Sequence, residues 1–159
     1  MNAHSSEALS ILDILSKDSI KVPFDVDDKT GAIDGLIELL GKQGHIDDVD
    51  ELKHVVWDRE NQRSTGIGEG IAIPHGKSDK INKLFLAIGI PTNPIEFGSI
   101  DGKPVKLLAL LISPTDRIAE HIQALGRISR LMSSEEFRES ACTATSAEEL
   151  YEKIRAIQG

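Results

Sequence analysis

Several absences narrow what this chain can be. It has a single cysteine, Cys142, which can form no internal disulfide, so nothing marks an oxidising compartment. A lone thiol of this kind is expected as a small buried hydrophobe. Basic residues are in deficit, 18 Lys and Arg against 26 Asp and Glu for a net charge of −8. That balance argues against a polyphosphate partner held by general electrostatics, and so against nucleic acid. Long apolar runs are also missing: the longest, Leu107 to Ile112, has six residues, against about 18 for a membrane-spanning helix. Met1 to Ser10 shows no basic segment followed by an apolar one, hence no secretory signal. Together these absences predict a cytoplasmic protein with no direct membrane insertion.

What is present is ordinary globular composition, 40% hydrophobic and 28% charged over 159 residues. At roughly 150 residues per domain this is one domain with one real core. Residues 1–8 read as a polar, flexible lead-in and residues 9–159 as the domain, with no internal repeat or linker.

Hydrophobic periodicity predicts a short helix over Ala8 to Leu15, then a strand over Ile20 to Phe24. Asp27, Asp28 and Thr30 offer N-caps for a helix burying Ile33, Leu36, Ile37 and Leu40 and stopping at Gly44. Asp47 with Asp50 opens a second helix with a stripe of Val49, Leu52, Val55 and Val56. Leu84 to Ile90 and Val105 to Ile112 read as strands, the latter apolar almost throughout and so covered on both faces. Ser113-Pro114 is expected to start a helix carrying Ile118, Ile122, Leu125, Ile128 and Met132 on one side. Ser146 and Glu149 form a capping box for a last helix with Leu150, Ile154 and Ile157 inward. Strands interleaved with helices predict a single-domain α/β sandwich whose central sheet is mostly parallel or mixed, flanked by helices.

The chemistry is concentrated between Arg59 and Lys77. Four of the 13 glycines, Gly66, Gly68, Gly70 and Gly76, fall there, and successive glycines let backbone N–H groups approach an anion. The P-loop pattern G-x-x-x-x-G-K-[ST] fails, because five residues separate Gly70 from Gly76-Lys77-Ser78. The G-x-G-x-x-G dinucleotide spacing fails too, so ATP and NAD are excluded. What remains is His75, framed by Pro74 and Gly76 and expected to emerge where strand pairing stops, with Gly76 turning the chain away. A neutral imidazole, with an ordinary pKa of about 6.5, is a competent nucleophile near pH 7.

His121 falls on the core side of its helix and reads either as a buried structural histidine or as a neighbour of His75. Arg59, at the end of its helix, reads equally as a dipole-satisfying cation and as counter-charge for a phosphoryl group. Lys77 is a weaker, more solvated candidate. His4, His45 and His54 sit in bland contexts, and no metal-ligand spacing is present, so no metal or cofactor is expected.

Arg59-Glu60, then Ser64-Thr65-Gly66-Ile67-Gly68, then Gly70-Ile71-Ala72-Ile73-Pro74-His75-Gly76, followed by Asp101-Gly102-Lys103-Pro104-Val105 and Glu120-His121, make the chain resemble the enzyme IIA components of the bacterial phosphotransferase system, fructose/mannitol class. The Gly70 to Lys77 stretch looks most like the nitrogen-related branch, though Arg63 and Glu69 stand where that branch often has Gly and Asn. The resemblance implies an α/β phosphocarrier in which His75 accepts a phosphoryl group from HPr or a similar carrier. It implies His121 and Arg59 as supporting residues and Ser64, Thr65, Gly66, Gly68 and Gly76 as the phosphoryl-binding loop, whose N–H groups would hold the equatorial oxygens. Onward transfer would go to an enzyme IIB and permease on separate chains, or the phosphorylation state would be read by regulatory protein targets.

Overall fold

The computed structural model describes residues 9–158; the lead-in expected at residues 1–8 lies outside the described residues. Within the described part of the helix expected over Ala8 to Leu15, the chain instead makes a single 3-10 turn, Ile11–Asp13. Ser10 Oγ accepts the Leu12 N–H and the Asp13 carboxylate takes the Ser10 N–H, so a side-chain box turns the chain before a helix can propagate. Strand β1, Leu15–Phe24, therefore begins well ahead of Ile20.

Helix α1, Lys29–Lys42, is capped by Asp28, whose carboxylate accepts the Gly31 N–H, and buries Ile33, Leu36, Ile37 and Leu40 as its periodicity requires. Gly44, with φ at +81°, lets the chain leave the helix. Helix α2, Val49–Gln62, is capped by Asp48 rather than Asp47, and buries Leu52, Val56 and, unexpectedly, Glu60; Val49 and Val55 are half-buried. Five short or medium strands follow: β2 (Gly66–Gly68), β3 (Ile71–Ala72), β4 (His75–Ser78), β5 (Phe85–Pro91) and β6 (Leu107–Pro114). Helices α3 (Ile118–Met132), α4 (Glu135–Cys142) and α5 (Ala147–Gln158) complete the chain.

The strands form one 6-stranded sheet in the order β1-β5-β6-β3-β2, with β4 pairing β6 beyond β3. The pairs β1–β5, β3–β6 and β4–β6 are parallel, whereas β5–β6 and β2–β3 are antiparallel. The sheet is thus mixed, and the architecture is the α/β sandwich that the interleaved pattern predicts. β6 is the axis. Leu107, Ala109 and Leu111 join one core with α3, α4 and α5, while Leu108, Leu110 and Ile112 join the opposite core with α1 and α2. Burial on both faces is why this run carries no polar alternation.

Several boundaries correct the sequence reading. Ser113 and Pro114 end β6 instead of starting a helix, because both pair with β4, at Lys77 and Ser78 respectively. Helix α3 consequently starts at Ile118, with Ile118 and Ile122 exposed and a buried stripe of His121, Ala124, Ile128, Leu131 and Met132. At α5, Ser146 Oγ accepts the Glu149 N–H, but the Glu149 carboxylate bonds Thr145 N–H and hydroxyl rather than closing the box. Ile157 is exposed, while Leu150 and Ile154 are buried. Cys142, expected inside, is exposed at the end of α4.

Candidate active site

β3 and β4 run as one line along β6, interrupted at Pro74. Proline removes a donor but keeps its acceptor, and Pro74 O takes the Leu111 N–H at 3.0 Å. Pairing therefore continues instead of stopping: His75 is in register with Leu111 and Gly76 with Ile112. Gly76 does not turn the chain. It lies under α2, where a Cβ would come within 2.9 Å of Val55 Cγ1 and 3.1 Å of Val56 Cγ2. Its hydrogen side chain is what lets the helix pack on the strand.

His75 is half-buried, and its Nδ1 lies 2.8 Å from Ile73 O. A carbonyl can only accept, so Nδ1 carries the proton and Nε2 keeps its lone pair. Burial lowers the pKa below the ordinary 6.5; the Ile73 bond opposes that, the charge of Arg59 adds to it, Glu60 opposes it and Lys77 adds to it. At neutral pH the ring is uncharged and nucleophilic at Nε2.

His121 is the neighbour that its helix position allowed. The two ring centroids are 5.5 Å apart at 55°. His121 Nδ1 shares a 2.7 Å hydrogen bond with the fully buried Ser113 hydroxyl. Burial, then the charges of His75 and Lys77, push its pKa down to about 4. Lys77 itself is exposed.

Arg59 lies in the last turn of α2 and donates through Nη1 to Arg63 O at 2.9 Å, closing the helix end. It also lines a depression of about 380 Å³ together with Arg63, Ser64, Thr65, Gly66 and His75, rimmed by Ile67 and Ile100. Arg59 thus closes the helix end and also lines the depression that holds His75. Ile67 and Ile100 are 49% and 79% exposed, an apolar margin around a charged floor.

The glycine-rich stretch divides into parts with different work. Ser64, Thr65 and Gly66 line the depression; Gly68 and Gly76 do not. Gly68, Glu69 and Gly70 all have positive φ and make the β2–β3 turn, where Asp101 accepts the Glu69 N–H at 3.0 Å. Two of the loop N–H groups expected to face phosphoryl oxygens already have partners within the chain. Thr65 N–H goes to Glu60 at 2.8 Å and Gly66 N–H goes to Ser64 Oγ at 3.1 Å.

Residues 13–157 match the family described as the phosphoenolpyruvate-dependent sugar phosphotransferase system, EIIA 2. The chain belongs to this family. It is 33% identical over 129 residues to the fructose-specific EIIA component of Haloferax volcanii, covering 81% of this chain and 84% of that protein. It is also 33% identical over 146 residues to the fructose-specific EIIABC component of Bacillus subtilis, covering 92% of this chain but spanning only 23% of that longer protein. The crystal structure of the nitrogen regulatory protein IIA-Ntr of Neisseria meningitidis superposes with a TM-score of 0.82 at 30% identity, covering 92% of this chain and 97% of that one.

One residue of this EIIA chain escaped the sequence reading. Glu60 has a side chain 1% exposed, with Lys29 Nζ at 3.0 Å and both the N–H and the hydroxyl of Thr65 on its two oxygens. Lys29 also reaches Phe97 O at 3.3 Å and sits 4.7 Å above the Phe97 ring, while Ser64 Oγ donates to the same carbonyl at 2.7 Å. Glu60 thereby ties α1, α2, the Ser64–Gly66 segment and the Phe97 loop together behind the depression. The signal was available: Leu52, Val56 and Glu60 fall four apart on one helical face, so an acid stands in the core stripe. No helix among the described residues is long and apolar enough to cross a membrane.

Proposed function

We propose that this EIIA chain is a cytoplasmic phosphocarrier that accepts a phosphoryl group at His75 Nε2 from a phosphorylated HPr-like protein and delivers it to an enzyme IIB. The observation that carries the reading is the Nδ1 to Ile73 O bond. It dedicates one ring nitrogen to the backbone and leaves the other with its lone pair, in a depression that holds Arg59. In the transfer, the Nε2 lone pair forms the new N–P bond as the N–P bond of the donor phosphohistidine breaks, and that electron pair returns to the donor imidazole. Arg59 offsets the charge on the phosphoryl oxygens. His121, uncharged at neutral pH, stands beside the acceptor without competing for its proton. The EIIABC relative carries A, B and C components in one chain by its name.

The test is labelling with phosphoenolpyruvate, enzyme I and HPr. One acid-labile, base-stable phosphoryl group is expected, absent in His75→Ala; an acid-stable label, or one that persists in the variant, refutes the assignment. A second reading is supported by the whole-chain similarity to IIA-Ntr: a regulatory EIIA whose phosphorylation state controls binding to other proteins. Failure of the labelled protein to pass its phosphoryl group to any IIB, with a phosphorylation-dependent protein partner instead, selects that reading.

A further inference from the structure

The polypeptide beside His75 uses its own donors internally. Thr65 gives its N–H and hydroxyl to Glu60, Ser64 gives its hydroxyl to Phe97 O, and Gly66 gives its N–H to Ser64. A phosphoryl group brings three acceptor oxygens and a charge of about −1.5 to −2 at pH 7, so its donors must come from elsewhere on the wall of the depression. Two arginines line that wall, Arg59 and Arg63. Among the described residues neither is in a salt bridge, in a chain whose net charge is −8.

The two arginines are placed differently. Arg59 is half-buried in the last turn of α2, and its charge acts on the His75 imidazole. Arg63 is exposed at the helix end, on extended backbone with φ −174° and ψ 136°. Its main chain is pinned by the Arg59 bond to its carbonyl, and the residue is exposed where it lines the depression. Cations at an interface rim act chiefly on encounter and on salt dependence.

We propose that Arg63 is the outer phosphate contact of the site, engaging the phosphoryl group while it is still bonded to the donor protein, before Arg59 meets it at His75. The inference rests on the phosphocarrier reading above. Arg63 neither gains nor loses a proton in the step; it offers a planar pair of N–H donors to two phosphoryl oxygens. Its contribution falls on formation of the donor complex, not on the transfer within it.

The experiment measures KM and kcat for phosphoryl acceptance from phosphorylated HPr in wild type, Arg63→Gln and Arg63→Lys. Arg63→Gln is expected to raise KM about five- to tenfold with kcat within about twofold, and the difference is expected to vanish near about 0.5 M salt. Arg63→Lys retains the charge and recovers most of the loss. An unchanged KM, or a fall in kcat accompanied by a lower melting temperature, overturns the proposal. In parallel, inorganic phosphate is titrated while the His75 ring resonances are followed; its affinity is expected to fall at least about threefold in Arg63→Gln, and equal affinity also overturns the proposal. A wild-type protein that accepts no phosphoryl group yet binds phosphate through Arg63 rejects the phosphocarrier reading and keeps Arg63 as the anion contact.

Discussion

The imidazole of His121 lies 5.5 Å from that of His75, and each ring has one nitrogen committed to a different part of β6 or its neighbour. His75 bonds back to Ile73 O at 2.8 Å; His121 bonds to Ser113 at 2.7 Å. The pair is thereby fixed in orientation while uncharged. Two imidazoles this close resist a second proton, which is part of why His121 is held down to about 4.

Protonation of His121 gives a stability signature with a definite sign. Its pKa falls from the ordinary 6.5 in the unfolded chain to about 4 in the fold, so between those values the unfolded chain binds more protons and stability drops as pH falls. Above about pH 6.5 the effect is fully absent. The loss reaches at most about 3 kcal/mol by pH 4. His121→Gln, which retains a hydrogen-bonding group for Ser113 but cannot be protonated, is expected to show a shallower decline of melting temperature from pH 7 to pH 4.5. The same variant should accept a phosphoryl group on His75 and differ in onward transfer or in the lifetime of the phosphorylated form. Normal transfer with altered stability alone would remove His121 from the chemistry.

Arg59→Ala is expected to slow phosphoryl acceptance roughly tenfold to a hundredfold, the equivalent of about 1.5–3 kcal/mol for one charge-assisted bond. It also deletes the bond to Arg63 O, so about 1 kcal/mol of stability should go with it. Single-turnover kinetics and a urea titration on one preparation separate the two. Loss of stability with an unchanged rate would assign Arg59 to the helix end alone.

Glu60→Gln should destabilise the fold by about 2–3 kcal/mol. The two Thr65 donors use both carboxylate oxygens, an amide can accept at only one of them, and Lys29 loses its counter-charge. Combining it with Lys29→Met should recover part of the loss, giving a coupling of about 1–2 kcal/mol in urea unfolding. Strict additivity would mean that the pair does not act as a unit.

Gly76→Ala tests a packing role against a phosphoryl-binding one. The new methyl group meets Val55 and Val56 at 2.9 and 3.1 Å, an overpacking that costs about 1–3 kcal/mol. Val55→Ala in the same chain should restore most of the stability, as melting temperature will show. If labelling of His75 stays low in the stabilised double variant, Gly76 has a part in the chemistry after all.

Much of this arrangement is legible in the residues. The apolar face of α1 and the doubly buried β6 are local patterns, and each appears where the pattern puts it; the glycine–proline framing of His75 marks the right residue but not the pairing around it. The misreadings have a common cause, which is that pairing and capping are decided by partners elsewhere in the chain. Pro114 reads as a helix start until Ser78 is seen opposite it in the ladder. Ala8 to Leu15 reads as a helix until Asp13 closes its box on Ser10. Glu60 has no part beyond the Arg59-Glu60 pair until Lys29 and Thr65 arrive from other segments. Likewise, only the folded chain shows that the Thr65 and Gly66 amides are already bonded.

Both histidines take their places from one short length of strand. Leu111 in β6 is in register with His75, and Ser113 in the same strand holds His121. Their separation is thus referred to a single strand, and on the proposed reading the sheet itself is the handle for the cargo. On the proposed phosphocarrier reading, departure of the phosphoryl group would then answer to the partner that docks at the apolar margin.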